Sequence, residues 1–262
     1  MDVYDDQMIV DSVEKPSLVN VPVPENVVKV VMMIRGAVDA LAEHFEIDTK
    51  MKDLHTTMKG EIACNHENCT CYKAKWIDAI KKEEYWTEGS TPNLKNIKPA
   101  DVDQLLDDEQ GYLKLASGFL YKKQSEPSEE QDILEYFDND GILQLLRRCS
   151  VFKINSENLD KIKKIHQIRH QLAHPRCATN EEQEKRWKNE AADQLRDNLY
   201  GILRRKKYED IKEYINQVQN MDIQATSEQD KQLKKELKIV KDEETCPHET
   251  DMTGSLAGLH HV

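Results

Sequence analysis

Ile165-His166-Gln167-Ile168-Arg169-His170-Gln171-Leu172-Ala173-His174-Pro175 is the stretch whose reading decides the fold. With Leu159 and Ile162 ahead of it, its apolar positions recur at steps of three and four, the period of a helix buried along one face. Pro175 disfavours the helical conformation at His174 and ends the helix there. Five residues separate Arg169 from His174, so an ideal helix would point them about 140° apart. A loosened last turn lets the histidine swing toward the arginine, and the negative end of the helix favours a protonated imidazole.

Amphipathic runs extend on both sides. Upstream, Ile133, Leu134, Phe137, Leu143, Leu145, Leu146 and Cys149 predict a helix opened by a capping box at Ser128 and Gln131 and bent at Asn139-Asp140-Gly141. Ser156 is the expected cap of the motif helix. Downstream, Asn180 to Arg205 carries the stripe Trp187, Ala191, Leu195, Leu199 and Leu203. A shorter helix follows from Tyr208 to Val218. Near the N-terminus, Glu25 to Ile47 predicts a long amphipathic helix, Tyr72 to Trp86 a second, and 100–121 a third punctuated by Gly111 and Gly118.

The organisation expected is an arm over 1–25, an N-terminal helical region over 26–127 and a helical bundle over 128–220. A charged, largely disordered tail over 221–262 completes it. The fold class is all-α. Composition agrees: hydrophobic residues make up 38%, aromatic residues only 6% and charged residues 33%, and there are 9 glycines. That is poor material for a β-sandwich and good material for long solvated helices.

A net charge of −12 argues against non-specific coating of nucleic acid. The balance reverses locally. Between 142 and 176 stand Arg147, Arg148, Lys153, Lys161, Lys163, Lys164, Arg169 and Arg176 against Glu157 and Asp160. The acidic start lacks the basic and apolar pattern of a secretory signal, and no stretch is long and apolar enough to span a bilayer. The expectation is an intracellular protein, cytoplasmic or nuclear and not secreted, with no membrane contact.

Arg169-His170-x-x-x-His174, ending in Ala-His-Pro and flanked by bundle helices, resembles the signature of the HEPN superfamily. The resemblance implies an up-and-down helical bundle with Arg169 and His174 as the catalytic pair. It also implies a homodimer that places two motifs in one cleft. Arginine and histidine suffice for RNA cleavage without a metal. A base activates the ribose 2′-OH, the guanidinium offsets charge on the pentavalent phosphorus, and an acid protonates the leaving oxygen. One histidine cannot be base and acid at once, which is the chemical use of the second motif.

RNA contacts are expected from His166, His170, Lys163, Lys164 and Arg176, and single-stranded RNA is the expected partner. Glu135, Asp138 and Asp140 could orient the pair or simply form a solvated face. No cofactor is needed for this catalysis. The other reading is a non-catalytic helical module for protein interaction or dimerisation, in defence or stress signalling. Catalysis needs Arg169 and His174 exposed together in a cleft with basic walls, whereas an interaction module buries His174 or holds Arg169 in a salt bridge.

Cys64, His66, Cys69 and Cys71 place four soft ligands within eight residues. The spacing is cramped for a structural zinc without help from Cys177, Cys246 or His248, so a structural zinc and plain thiols both stand. His166, His170 and His174 share a helix face at four-residue spacing. As a zinc site they lack a carboxylate or cysteine at a supporting spacing, and Arg169 opposes the ion.

Cys71-Tyr72-Lys73-Ala74-Lys75-Trp76, Tyr85-Trp86 and the stretch from Ile142 to Phe152 are similar to an uncharacterised animal family. Its vertebrate type member is encoded by an open reading frame on the X chromosome. The similarity covers about residues 27–218 and implies N-terminal helices packed on the HEPN-like half.

Overall fold

The computed structural model describes residues 24–62, 71–87, 90, 105, 109–121, 131–171 and 181–222. The chain is all-α, with nine α-helices among these residues. They are α1 Glu25–His44, α2 Ile47–Ile62, α3 Cys71–Ile80, α4 Gly111–Ser117, α5 Ile133–Tyr136, α6 Asn139–Arg148, α7 Ser156–Gln171, α8 Glu181–Leu199 and α9 Arg205–Asn220. Extended pairing among the described residues is limited to one antiparallel bridge, Trp86 to Cys149.

Helix α1 is the central strut. Val30, Met33, Ile34, Ala37, Val38 and Leu41 are buried along it, and it packs against α8 and α9 and also touches α6, α7 and α2. The approach of α9 is close because residue 36 is glycine: a Cβ there would lie 2.4 Å from Cε1 of Tyr214. The Tyr214 hydroxyl donates to the carbonyl of Met32 at 3.2 Å, fixing the crossing. One hydrophobic core runs from α1 through Trp76, Phe119, Leu145 and Ile165 to Leu195 and Ile215, joining described helices from before and after position 127.

Local chemistry sets the helix ends, in places differently from the sequence expectation. The run predicted from Glu25 to Ile47 breaks at Glu46, whose φ of 52° turns the chain into α2. The helix predicted through 133–149 is two helices. Asp132 caps the first by accepting from the Glu135 amide at 2.9 Å. Asp138 caps the second by accepting from the Gly141 amide at 2.8 Å. Each carboxylate satisfies an N–H that has no partner within its helix. Ser128, the expected cap, lies outside the described residues. Asn155 caps α7 in place of Ser156, its Oδ1 accepting from the Asn158 amide at 2.8 Å.

Candidate functional site

The cap at Asp138 positions the site. With Oδ1 held by the Gly141 amide, Oδ2 faces Nη2 of Arg169 at 3.3 Å. In the first turn of α6, the buried Asp140 takes Nη1 of Arg169 on Oδ1 at 3.1 Å. The same oxygen accepts from Nε2 of His166, and Oδ2 accepts from the Gln144 amide. Gln144 is held in turn by the Tyr121 amide, which donates to its Oε1 at 2.8 Å. Arg169 keeps only 5% of its surface exposed, against 4% for Asp140 and 5% for His166.

Arg147 completes the cluster. Its Nη1 lies 2.6 Å from Nδ1 of His166. A guanidinium can only donate, so Nδ1 is the acceptor and the ring proton sits on Nε2, directed at Asp140. His170, one turn on, is exposed and tilts against His166 with ring centroids 4.4 Å apart. Burial alone would raise the Asp140 pKa. The His166 hydrogen bond and the Arg169 charge outweigh it and hold the carboxyl well below the usual range. Partial desolvation, with the charge of Arg169, pushes the His170 imidazolium down to about 4 against the pull of Asp140.

Of the residues singled out in the sequence, Arg169, His166 and His170 come together. Asp138 and Asp140 orient the arginine, while Glu135 stays exposed. Lys163 and Lys164 are exposed on α7, and Lys163 stands on the helical row of His166 and His170, three and seven residues before them. His174 and Arg176 lie outside the described residues, as do Cys64, His66 and Cys69. Cys71 opens α3, with its side chain outside the described set. Sequence reasoning missed Arg147 and Gln144. The spacing 140, 144, 147 puts three polar groups on one helix face, and that was the available signal.

The cluster also offers a metal-like geometry. One ligand atom from each of Asp140, His166 and His170 lies within 4.8 Å of the others. The carboxylate that the sequence spacing did not supply thus comes from the neighbouring helix. Chemistry disfavours a cation there even so. Binding at Nε2 of His166 would require the ring proton to leave the position that Arg147 enforces, and the ion would sit beside two guanidinium groups.

Compared with known proteins, the chain matches no family model, no curated protein and no solved structure. No helix among the described residues is long and apolar enough to cross a membrane.

Proposed function

We propose that this chain is a HEPN-like helical module that binds partners and does not cleave RNA, with Arg169 an architectural pin. The carrying observation is the burial of Arg169 between Asp138 and Asp140. A phosphate ligand must meet its anion at the surface. To reach one, this guanidinium would have to leave two carboxylates, one of them buried and sharing its oxygen with His166. Breaking one side of a buried ion pair typically costs about 3–5 kcal/mol. Protein–protein association, including homodimerisation, is what this reading assigns to the bundle.

A second reading keeps the endoribonuclease, and one observation favours it. His170 presents an exposed imidazole against His166, at the solvent edge of the Arg169 cluster. In that reading Arg169 and His174 act across a homodimer on single-stranded RNA.

The test is incubation of labelled single-stranded RNA with the purified protein and a chelator, alongside Arg169→Ala and His174→Ala. The binding-module reading expects intact RNA from all three. Cleavage by the wild type alone, leaving 2′,3′-cyclic phosphate ends, would replace it with the nuclease.

A further inference from the structure

We propose that the turn joining α8 to α9 is a binding surface for single-stranded nucleic acid, formed by Tyr200, Arg204, Arg205 and Lys206. The segment reads Tyr200-Gly201-Ile202-Leu203-Arg204-Arg205-Lys206-Lys207-Tyr208. Its two aliphatic residues, Ile202 and Leu203, are buried and anchor it to the core. Everything chemically useful to an anion faces out. Tyr200 is 67% exposed, and Arg204, Arg205 and Lys206 are exposed beside it.

Neighbouring cations are neutralised, whereas these are not. Lys207 pairs with Glu43, and Lys161 with Glu157 at 2.9 Å. None of Arg204, Arg205 and Lys206 forms an ion pair among the described residues. The helix dipole does not account for them either. They lead into the first turn of α9, which carries no acidic residue, and cations at that end oppose the helix dipole. Across the turn, partial burial and then the charges of Arg204 and Lys50 disfavour the His44 imidazolium.

The turn is held in shape. Gly201 has a φ of 84°, and Nζ of Lys161 donates to the Tyr200 carbonyl at 3.1 Å. Tyr208 braces Tyr200 edge-on, with centroids 5.3 Å apart and planes at 70°. An upright, exposed ring beside a short cationic run is a platform on which an unpaired base stacks while its phosphates meet the charges. A bilayer fits less well, because Ile202 and Leu203 are buried and the turn has no aliphatic side chain to insert. The surface is separate from the Arg169 cluster: Lys161 and Arg169 stand about 12 Å apart along α7. It goes beyond the binding-module reading and requires nothing of Arg169.

The test is fluorescence anisotropy of a labelled oligouridine with the full chain, titrated with salt. Three phosphate contacts predict a slope of log K against log salt of about −2. Arg204→Glu/Arg205→Glu/Lys206→Glu should weaken binding by at least about tenfold and flatten that slope. Tyr200→Ala should weaken it about tenfold and leave the slope unchanged. Lys185→Glu, at the far end of α8, should change neither, and circular dichroism melts confirm that each variant is folded. The proposal is overturned by absent binding in low salt, or by binding that survives the triple substitution in a folded protein. Preference for anionic phosphatidylserine vesicles over the oligonucleotide would also overturn it. RNA cleavage is read separately by gel, so failure here and failure of the non-catalytic reading are distinguishable.

Discussion

Arg147 donates to Nδ1 of His166, leaving Nε2 to face Asp140. The bond fixes a tautomer that the imidazole alone would not choose strongly. Long-range proton–nitrogen spectra of the histidines should therefore show His166 protonated at Nε2 and bare at Nδ1. Arg147→Ala should weaken that preference. A wild-type His166 protonated at Nδ1 would contradict the arrangement and reopen the site to a metal.

The same cluster predicts a non-additive stability pattern. Arg169→Ala leaves Asp140 buried with one cation fewer, and Asp140→Ala leaves Arg169 facing Asp138 alone. Each should cost about 3–5 kcal/mol in urea denaturation. The double substitution should cost clearly less than the sum, because the second removes a charge the first left stranded. Additive losses, or single losses below about 1 kcal/mol, would mean that the pair does not hold α6 to α7.

Acid should unfold the protein in two stages with different owners. The His170 pKa falls to about 4 on folding, so from about pH 6.5 downward the unfolded chain binds the extra proton and stability drops. His170→Gln should shrink that stage to the part contributed by His44, whose imidazolium is likewise disfavoured on folding. The Asp140 carboxyl is depressed in the folded state. Its contribution is complete above its ordinary pKa of about 4 and is lost as pH falls below that. Asp140→Asn should remove this lower stage. Denaturation midpoints measured from pH 8 to 3 separate the two, and a flat profile between pH 7 and 4.5 would contradict the His170 assignment.

The helical class and most of the strut faces were legible because their apolar residues keep a strict period. Val30, Ile34, Val38 and Leu41 mark α1, and Leu195 and Leu199 mark α8. Helix α2 carries the same signal at Ile47, Met51, Leu54, Met58 and Ile62. What hid the join was Glu46, since glutamate rarely takes a positive φ and nothing in its identity announces a turn. The site was half legible. Arg169 stands in a recognisable motif, but its partners Asp138 and Asp140 read equally well as a solvated face. Only the packing of α6 on α7 decides that Asp140 is buried and Glu135 is not.

Cys149 offers a test of the junction between Trp86 and α6. Its thiol is buried, and burial pushes its pKa up to about 12. The thiolate is the reacting form, so at neutral pH Cys149 should resist alkylation in the native protein and react once denaturant is added. Peptide mapping by mass spectrometry distinguishes it from the other cysteines. Rapid native labelling at Cys149 would show that this junction opens readily.

Gly36→Ala sets two effects of opposite sign against each other. Alanine inside a helix is favoured over glycine by about 1 kcal/mol. Here the new methyl would lie 2.4 Å from Cε1 and 2.8 Å from Cδ1 of Tyr214, and 3.3 Å from Cδ1 of Ile211. Tyr214 is tied by its hydroxyl to Met32, so the ring cannot step aside without losing that bond. Overpacking of this kind costs about 1–3 kcal/mol and should win. Thermal denaturation should show Gly36→Ala melting below wild type. Adding Tyr214→Ala should remove the clash, so that Gly36→Ala in that background becomes neutral or stabilising. A stabilising Gly36→Ala in the wild-type background would mean that α9 does not seat on α1 this closely.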